Sequence, residues 1–300
     1  MTKNTRNRLL ALGIVTVPLM LWAGFILFGV LTPPPPLPPT PEPNGYEDLI
    51  RAGGMVSSDS QNYDSASLVQ LREMTATNAP ALALARAGLS NECRVPVQFN
   101  PAFAASHLDD LTKLKRLTQA FVMEGRLAEM EGRPEAAARS YLDTIRLGTE
   151  SPRGGVLIDQ LVGIAISGIG ISHLQSIVAQ LDAKSCRQTT AALATLDAQA
   201  QTWEEIMQAE TTWSRRTYTG LRYEIMRLMG GKSLKAALIK AKLKFDEEQL
   251  KSRQLILQLA ARAFTLEKGR PPVNAADLVP DYLKTIPQDP FTRTNIVFPP

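Results

Sequence analysis

Histidine and cysteine are scarce in this chain, with two of each among 300 residues. Metal sites in helix bundles combine glutamates with histidines that follow a Glu by three residues. Neither His107 nor His173 meets this requirement, because Ala104 and Gly170 stand three residues before them. A bundle-type metal site is therefore excluded, and the sequence identifies no metal ligand, cofactor site or catalytic residue.

A phosphate-binding loop and a strong excess of charge are also missing. Gly231-Lys232-Ser233 matches the end of such a loop, but Met226 occupies the position of its first glycine. The formal net charge is only +4, and part of it lies in the basic N-terminus. The sequence therefore gives little support to nucleotide binding and predicts no nucleic-acid partner.

Two groups of charged side chains remain as chemical candidates. Glu204 and Glu210 lie on one predicted helix, where a solvated acidic face or ion pairs with nearby arginines explain them. His107 precedes Asp109 and Asp110, and a histidine without a nucleophile at a known spacing is more often a helix cap or a surface residue. Both groups are expected to be structural.

The longest uncharged apolar stretch runs from Leu9 to Leu31. As a helix at about 1.5 Å per residue it spans roughly 34 Å, enough for a hydrocarbon core of about 30 Å. Three basic residues precede it and no charge follows before Glu42, so residues 1–8 are predicted to be a cytoplasmic flank. A cleaved signal peptide is the alternative, but its apolar region is usually shorter, about 7–15 residues.

The remaining chain divides by composition. Residues 32–43 are rich in proline and predict an extended stalk, residues 44–268 predict an extracytoplasmic helical domain, and residues 269–300 form a proline-rich tail. The predicted fold is mainly α: an N-terminal transmembrane helix, an irregular multi-helix bundle and that tail. Helices are predicted at residues 64–76, 81–87, 103–131, 135–147, 156–181, 186–229, 232–243 and 245–268, with a short one near 275–278.

Two of these helices have notable composition. Residues 156–181 are strongly apolar, and we expect a buried core helix rather than a second membrane span because Asp159 and His173 are costly in lipid. Residues 232–243 are amphipathic and basic, and we favour a solvated face over contact with anionic lipid. The lysines from here to the next helix are Lys232, Lys235, Lys240, Lys242 and Lys244.

The segment from Leu114 to Leu147 resembles a single tetratricopeptide repeat. Gly125 and Tyr141 fall at the offsets that this family uses for close packing of two helices, whereas Glu124 replaces an apolar residue of the family pattern. No second copy occurs 34 residues away in either direction, and such repeats need neighbours to build a binding groove. The alternative is a helical hairpin packed through small residues.

The segment from Leu255 to Thr292 resembles the region after the long helix of type II secretion major pseudopilins. The resemblance implies a helix that ends at glycine, a short helix, a turn and then a small sheet. The N-terminus lacks the processing site of that family. The residues that carry the resemblance are Gly269, Pro272, Leu278, Pro280, Tyr282, Leu283, Pro287, Asp289 and Pro290.

The combination of anchor, helical domain and tail resembles uncharacterised bacterial membrane proteins with a single anchor. The charge asymmetry around the anchor predicts an N-terminus in the cytoplasm and most of the chain on the periplasmic side of the inner membrane. We favour a non-catalytic tethered scaffold that binds another envelope protein. The alternative is an envelope enzyme whose active site the sequence does not reveal.

The two cysteines, Cys93 and Cys186, are predicted to form a disulfide, because exported chains with two cysteines tend to pair them in an oxidising compartment. Two buried free thiols are the alternative, since the sequence does not show whether the residues are close.

Overall fold

The computed structural model describes residues 36–57, 65–218 and 221–298, together with Met20 and Gly24. The predicted anchor, apart from those two positions, and the first residues of the predicted stalk lie outside the described residues. The fold below is therefore that of the predicted domain and tail.

In these ranges the chain forms eight α-helices and two short 3₁₀-helices, and the only β-pairing there is one antiparallel bridge between Gln288 and Asn295. The mainly helical fold is confirmed. The 3₁₀-helices are Val178–Gln180 and Ala275–Leu278. The α-helices are α1 (Gly45–Met55), α2 (Leu68–Leu89), α3 (Phe103–Met130), α4 (Pro134–Glu150), α5 (Leu157–Ile177), α6 (Ala183–Gln199), α7 (Trp203–Thr217) and α8 (Leu221–Lys268).

Helix α2 corrects the prediction that Pro80 separates two helices. It begins with a capping box between Ser67 and Gln70 and continues without interruption through Pro80 to Leu89. Proline in a helix interior costs about 3 kcal/mol. Here Ala81 and Leu82, directly after the proline, are both about 1% exposed. Burial of this helix face therefore outweighs the local cost of Pro80.

Helices α3 and α4 form a helical hairpin, which is the alternative to a repeat that the sequence offers for Leu114–Leu147. Gly132 makes the turn with a positive φ of 68°, and Pro134 begins α4 at the position where its missing N–H costs nothing. A Cβ atom on Gly125 would lie 2.3 Å from the ring of Tyr141. Glycine is therefore required for the close approach of the two helices.

Helix α5 is packed on one side and exposed on another. Ile166, Ile171 and Leu174 are buried, but Ile158 is 43% and Ile169 is 40% exposed, so the predicted core helix is buried on one face only. Residues Leu157–Gln180 are long and apolar enough to span a membrane, with a mean hydropathy of 1.7 and 39% of that window buried. This is the only such helix among the described residues.

The predicted continuous helix over residues 186–229 is interrupted after Gln199 and again after Thr217, where Tyr218 ends α7. Helix α6 ends at Gln199, and α7 begins after Thr202, whose side chain forms a capping box with Glu205. The break predicted at the glycine pair is confirmed, because α8 has non-helical φ and ψ values of 38° and −130° at Gly231. Beyond it, α8 runs unbroken to Lys268.

The core consists of two large apolar clusters. One joins α1, α2 and α3, and the other joins α4, α5, α6 and α8 with the tail. Leu278, Tyr282, Leu283 and Ile296 of the tail belong to the second cluster. The tail is therefore packed into the core, while the predicted short helix near residues 275–278 is present as a 3₁₀-helix.

The cysteines match the alternative that the sequence left open. Cys93 and Cys186 are free, fully buried thiols, and they lie in different apolar clusters. The predicted disulfide is absent from this structure. Burial raises the pKa of the Cys93 thiol to about 12 and that of Cys186 to about 11.

We expect neither cysteine to react with a thiol reagent at neutral pH while the protein is folded, because the reactive thiolate is both scarce and inaccessible. In denaturant without reductant, two thiols per chain should react. A thiol count with a chromogenic disulfide reagent, before and after unfolding, measures this. Absence of reactive thiols in denaturant, restored by a reductant, would establish a disulfide instead.

Candidate functional site

His107 is the centre of a buried charged cluster, so the prediction of a capping or surface histidine is wrong. It lies on α3 and is 5% exposed. Its Nε2 is 2.5 Å from Oδ1 of Asp159, and its Nδ1 is 3.7 Å from Oδ2 of Asp110. Asp159, near the start of α5, also accepts a hydrogen bond of 2.8 Å from the backbone N–H of Val156. The cluster therefore connects α3 to the N-terminus of α5.

The charge of His107 is stabilised by its neighbours. Burial by itself lowers its pKa, but the hydrogen bond and charge of Asp159, with the charge of Asp110, raise the pKa above the ordinary value of about 6.5. Both ring nitrogens face carboxylates, so neither is directed toward open space where a substrate could approach. This geometry suits an ion pair that holds two helices together better than a general base.

Aromatic rings enclose this cluster. Phe103 stacks on His107 with a centroid distance of 4.7 Å, and Tyr46 lies 6.5 Å away. Among the described residues, the buried Tyr46 hydroxyl has no hydrogen-bond partner. Burial, followed by the charges of Asp159 and Asp110, raises the pKa of Tyr46. The tyrosine therefore stays neutral and contributes packing.

The glutamates of α7 cap helices. Glu205 completes the capping box of α7, and Glu210 Oε2 accepts a hydrogen bond of 2.8 Å from the backbone N–H of Leu157 at the start of α5. Glu204 is exposed. Within the described ranges, no group of three or more His, Cys, Asp and Glu side chains is placed to hold a metal ion.

A network that the sequence analysis missed joins α2, α3 and α4. Arg86 donates to Glu124, and its Nε donates to Asp143 at 2.7 Å. Ser140 Oγ donates to Glu124 at 2.6 Å. The only feature of the sequence that pointed to this network was Glu124, which stands where the repeat family has an apolar residue. In the structure Glu124 faces the side chain of Arg86, which explains the difference.

An open groove of about 1060 Å³ lies where the stalk meets the domain, and we name it the stalk groove. Two segments that are neither helix nor strand border it, residues 36–40 at the end of the stalk and residues 92–98 before α3. Helix α7 and the end of α6 complete its walls. Its lining includes Leu37, Arg94, Phe99, Thr212 and Arg216.

Asn44 fixes the stalk against this groove. Its amide donates to the carbonyl of Arg94 at 2.8 Å and accepts from the N–H of Arg94 at 2.9 Å. The side-chain oxygen of Asn44, Oδ1, also accepts a hydrogen bond from the backbone N–H of Tyr46 and so caps α1. The stalk, the segment 92–98 and α1 therefore hold one another in place.

The groove has an aromatic surface on its other side. Phe99 is 37% exposed, and the guanidinium of Arg216 lies 4.8 Å from the centre of its ring. Trp213 on α7 donates from its indole N–H to the carbonyl of Gln98 at 3.0 Å, which fixes the segment against α7.

The chain matches no family model, no curated protein and no solved structure. Its function must therefore be inferred from these surfaces.

Proposed function

We propose that this chain is a single-pass membrane protein of the bacterial envelope, with its N-terminus in the cytoplasm and its helical domain on the periplasmic side. The domain is a non-catalytic scaffold that binds an extended segment of another envelope protein in the stalk groove. The observation that carries the proposal is the groove itself, an open concave surface of about 1060 Å³ bordered by two irregular segments of the chain.

The lining of the groove suits an extended polypeptide. Extended and proline-containing segments bind along grooves where flat aromatic side chains contact their rings and polar groups contact their backbone. Phe99 with Arg216 supplies the flat surface. The chain's own proline-rich residues 36–40 already border the groove, with Leu37 half-buried, so the surface accommodates a proline-containing segment.

The location of the groove supports a tethered role. Asn44 attaches the end of the stalk to the groove wall, so a segment bound there is held at the membrane-proximal end of the chain. An extended proline segment rises about 3.1 Å per residue. A partner bound in the groove therefore stays within a few tens of ångströms of the anchor.

A photo-crosslinking amino acid at position 99 of the full chain, expressed in cells, tests the proposal. We expect a crosslink to an extended segment of a membrane or periplasmic protein, identified by mass spectrometry of the joined peptides. The substitution Arg216→Glu should abolish most of it. The same crosslinker at Leu108, an exposed apolar residue on α3 outside the groove, is the matched control and should give no such product.

Two results would contradict the proposed function. One is an equal set of products from positions 99 and 108, which would indicate random contact. The other is crosslinking at position 99 that Arg216→Glu does not change, because the groove surface would then play no part in binding.

A further inference from the structure

The first part of α8 after its break carries an unpartnered amphipathic surface. Residues 232–244, which we name the basic arm, are mostly exposed. Ile239 is 61% and Leu243 is 45% exposed, whereas Ala241 is 7% exposed. Large aliphatic side chains at neighbouring positions are rarely left exposed to water, because burying each one is favourable by about 1.5–3 kcal/mol. The arm therefore presents two large aliphatic side chains to solvent one helical turn apart.

The spacing of residues separates the arm into two faces. Each residue of an α-helix advances by about 100° around the axis, so Ile239 and Leu243 lie together, opposite the buried Ala241. On the same basis, Lys235 and Lys242 flank this apolar strip on one side and Lys240 flanks it on the other. The outward face is thus a narrow apolar strip flanked by lysines, and Lys232 lies in line with the strip two turns before Ile239.

The charge of this face has one sign. Between Glu224 and Asp246 the sequence contains no acidic residue. Lys242 pairs with Asp246 at 2.7 Å, and Lys244 pairs with Glu247 at 2.7 Å. Among the described residues, the remaining lysines of the arm have no carboxylate partner. These are Lys232, Lys235 and Lys240.

In place of the solvated face that the sequence favoured, we propose that the basic arm lies on an anionic lipid surface, that of the membrane to which the chain is tethered. At such a surface the aliphatic side chains enter the boundary between headgroups and acyl chains. The lysines extend their alkyl stems past this boundary and place their ammonium groups on lipid phosphates. The inference uses the tether of the proposed function but not its groove, so the two are tested separately.

A fluorophore that responds to lipid contact tests this in the full chain, reconstituted in lipid nanodiscs. The label is attached at Ala236→Cys, an exposed position beside the apolar strip, and the native cysteines are buried. Discs of phosphatidylcholine alone are compared with discs that also contain phosphatidylglycerol. We expect quenching by spin-labelled lipid only in the anionic discs, and we expect added salt to reduce it.

The triple change Lys232→Gln, Lys235→Gln and Lys240→Gln should lower the ratio of docked to undocked arm about a hundredfold, since each lysine near an anionic surface contributes about fivefold. The matched control removes three exposed charges elsewhere, Lys115→Gln, Arg116→Gln and Lys284→Gln, and should leave quenching unchanged.

Equal quenching in both kinds of disc would overturn the proposal, as would quenching that the triple change does not alter. Protection of the label by added envelope proteins without any lipid quenching would also overturn it, because the arm would then bind an acidic protein. The crosslink in the stalk groove is independent of all these outcomes.

Discussion

Replacing His107 with alanine is expected to lower the free energy of unfolding by about 3–5 kcal/mol, the loss seen when one partner of a buried ion pair is removed. The side chain of Asp159 is 2% exposed, and its Oδ1 is 2.5 Å from His107 Nε2. Without the imidazolium this carboxylate is buried with only the N–H of Val156 as a partner. Denaturant unfolding of the full chain in detergent measures the loss.

The matched control is Asp109→Asn on the same helix. Asp109 pairs with Lys113, but its side chain is 71% exposed, and exposed pairs contribute at most about 1 kcal/mol. A loss for His107→Ala no larger than that of the control would contradict the structural role of the cluster.

The loss should depend on pH in a defined direction. Because folding raises the pKa of His107, its ionisation contributes stability that is fully present below the unfolded-state pKa of about 6.5. That contribution is lost as the pH rises through the higher folded-state pKa. The difference between wild type and His107→Ala should therefore shrink as the pH is raised above about 6.5. A difference that grows over this range would show that the ring is not protonated.

Replacing Gly148 with alanine is expected to destabilise the domain by about 3 kcal/mol, the upper part of the range for overpacking. A Cβ atom there would lie 2.4 Å from Ser167 Oγ and 2.5 Å from the carbonyl oxygen of Gly163. Since the backbone of α5 stands in the way, the added methyl group must push α4 and α5 apart. Denaturant unfolding again measures the effect.

Gly54→Ala is the control for this substitution, because nothing lies within 4 Å of a Cβ atom at this helical position. It should be neutral or should stabilise the protein by up to about 1 kcal/mol. Gly163→Ala acts on the same contact, so the double substitution with Gly148→Ala should cost less than the sum of the two single changes. Strict additivity would indicate that α4 and α5 do not touch at these glycines.

The parts of the fold that the sequence predicted depend on local signals. Pro134 marks the start of α4, and Gly231 marks the break in α8. Each signal acts within a few residues of the feature that it produces. Two predicted helix boundaries were wrong. At Pro80 tertiary packing keeps the helix intact, and after Gln199 the capping box at Thr202 starts a new helix.

The candidate sites depend on long-range contacts, which one sequence does not show. His107 and Asp159 are 52 positions apart, and Arg86 and Asp143 are 57 apart. Nothing in the spacing of these residues predicts either contact. The basic arm differs, because its lysines and aliphatic residues follow a helical period that is visible in the sequence. Only its exposure required the structure.

The central claim is that the domain is tethered outside the cytoplasm, and a measurement of membrane topology tests it most directly. Protease is added to intact spheroplasts that express the full chain with a C-terminal epitope, while a cytoplasmic protein serves as the control for lysis. We predict that the epitope and the helical domain are digested while the cytoplasmic control stays intact. Protection of the domain until the spheroplasts are lysed would contradict the tethered arrangement, and with it the proposed functions of the stalk groove and the basic arm.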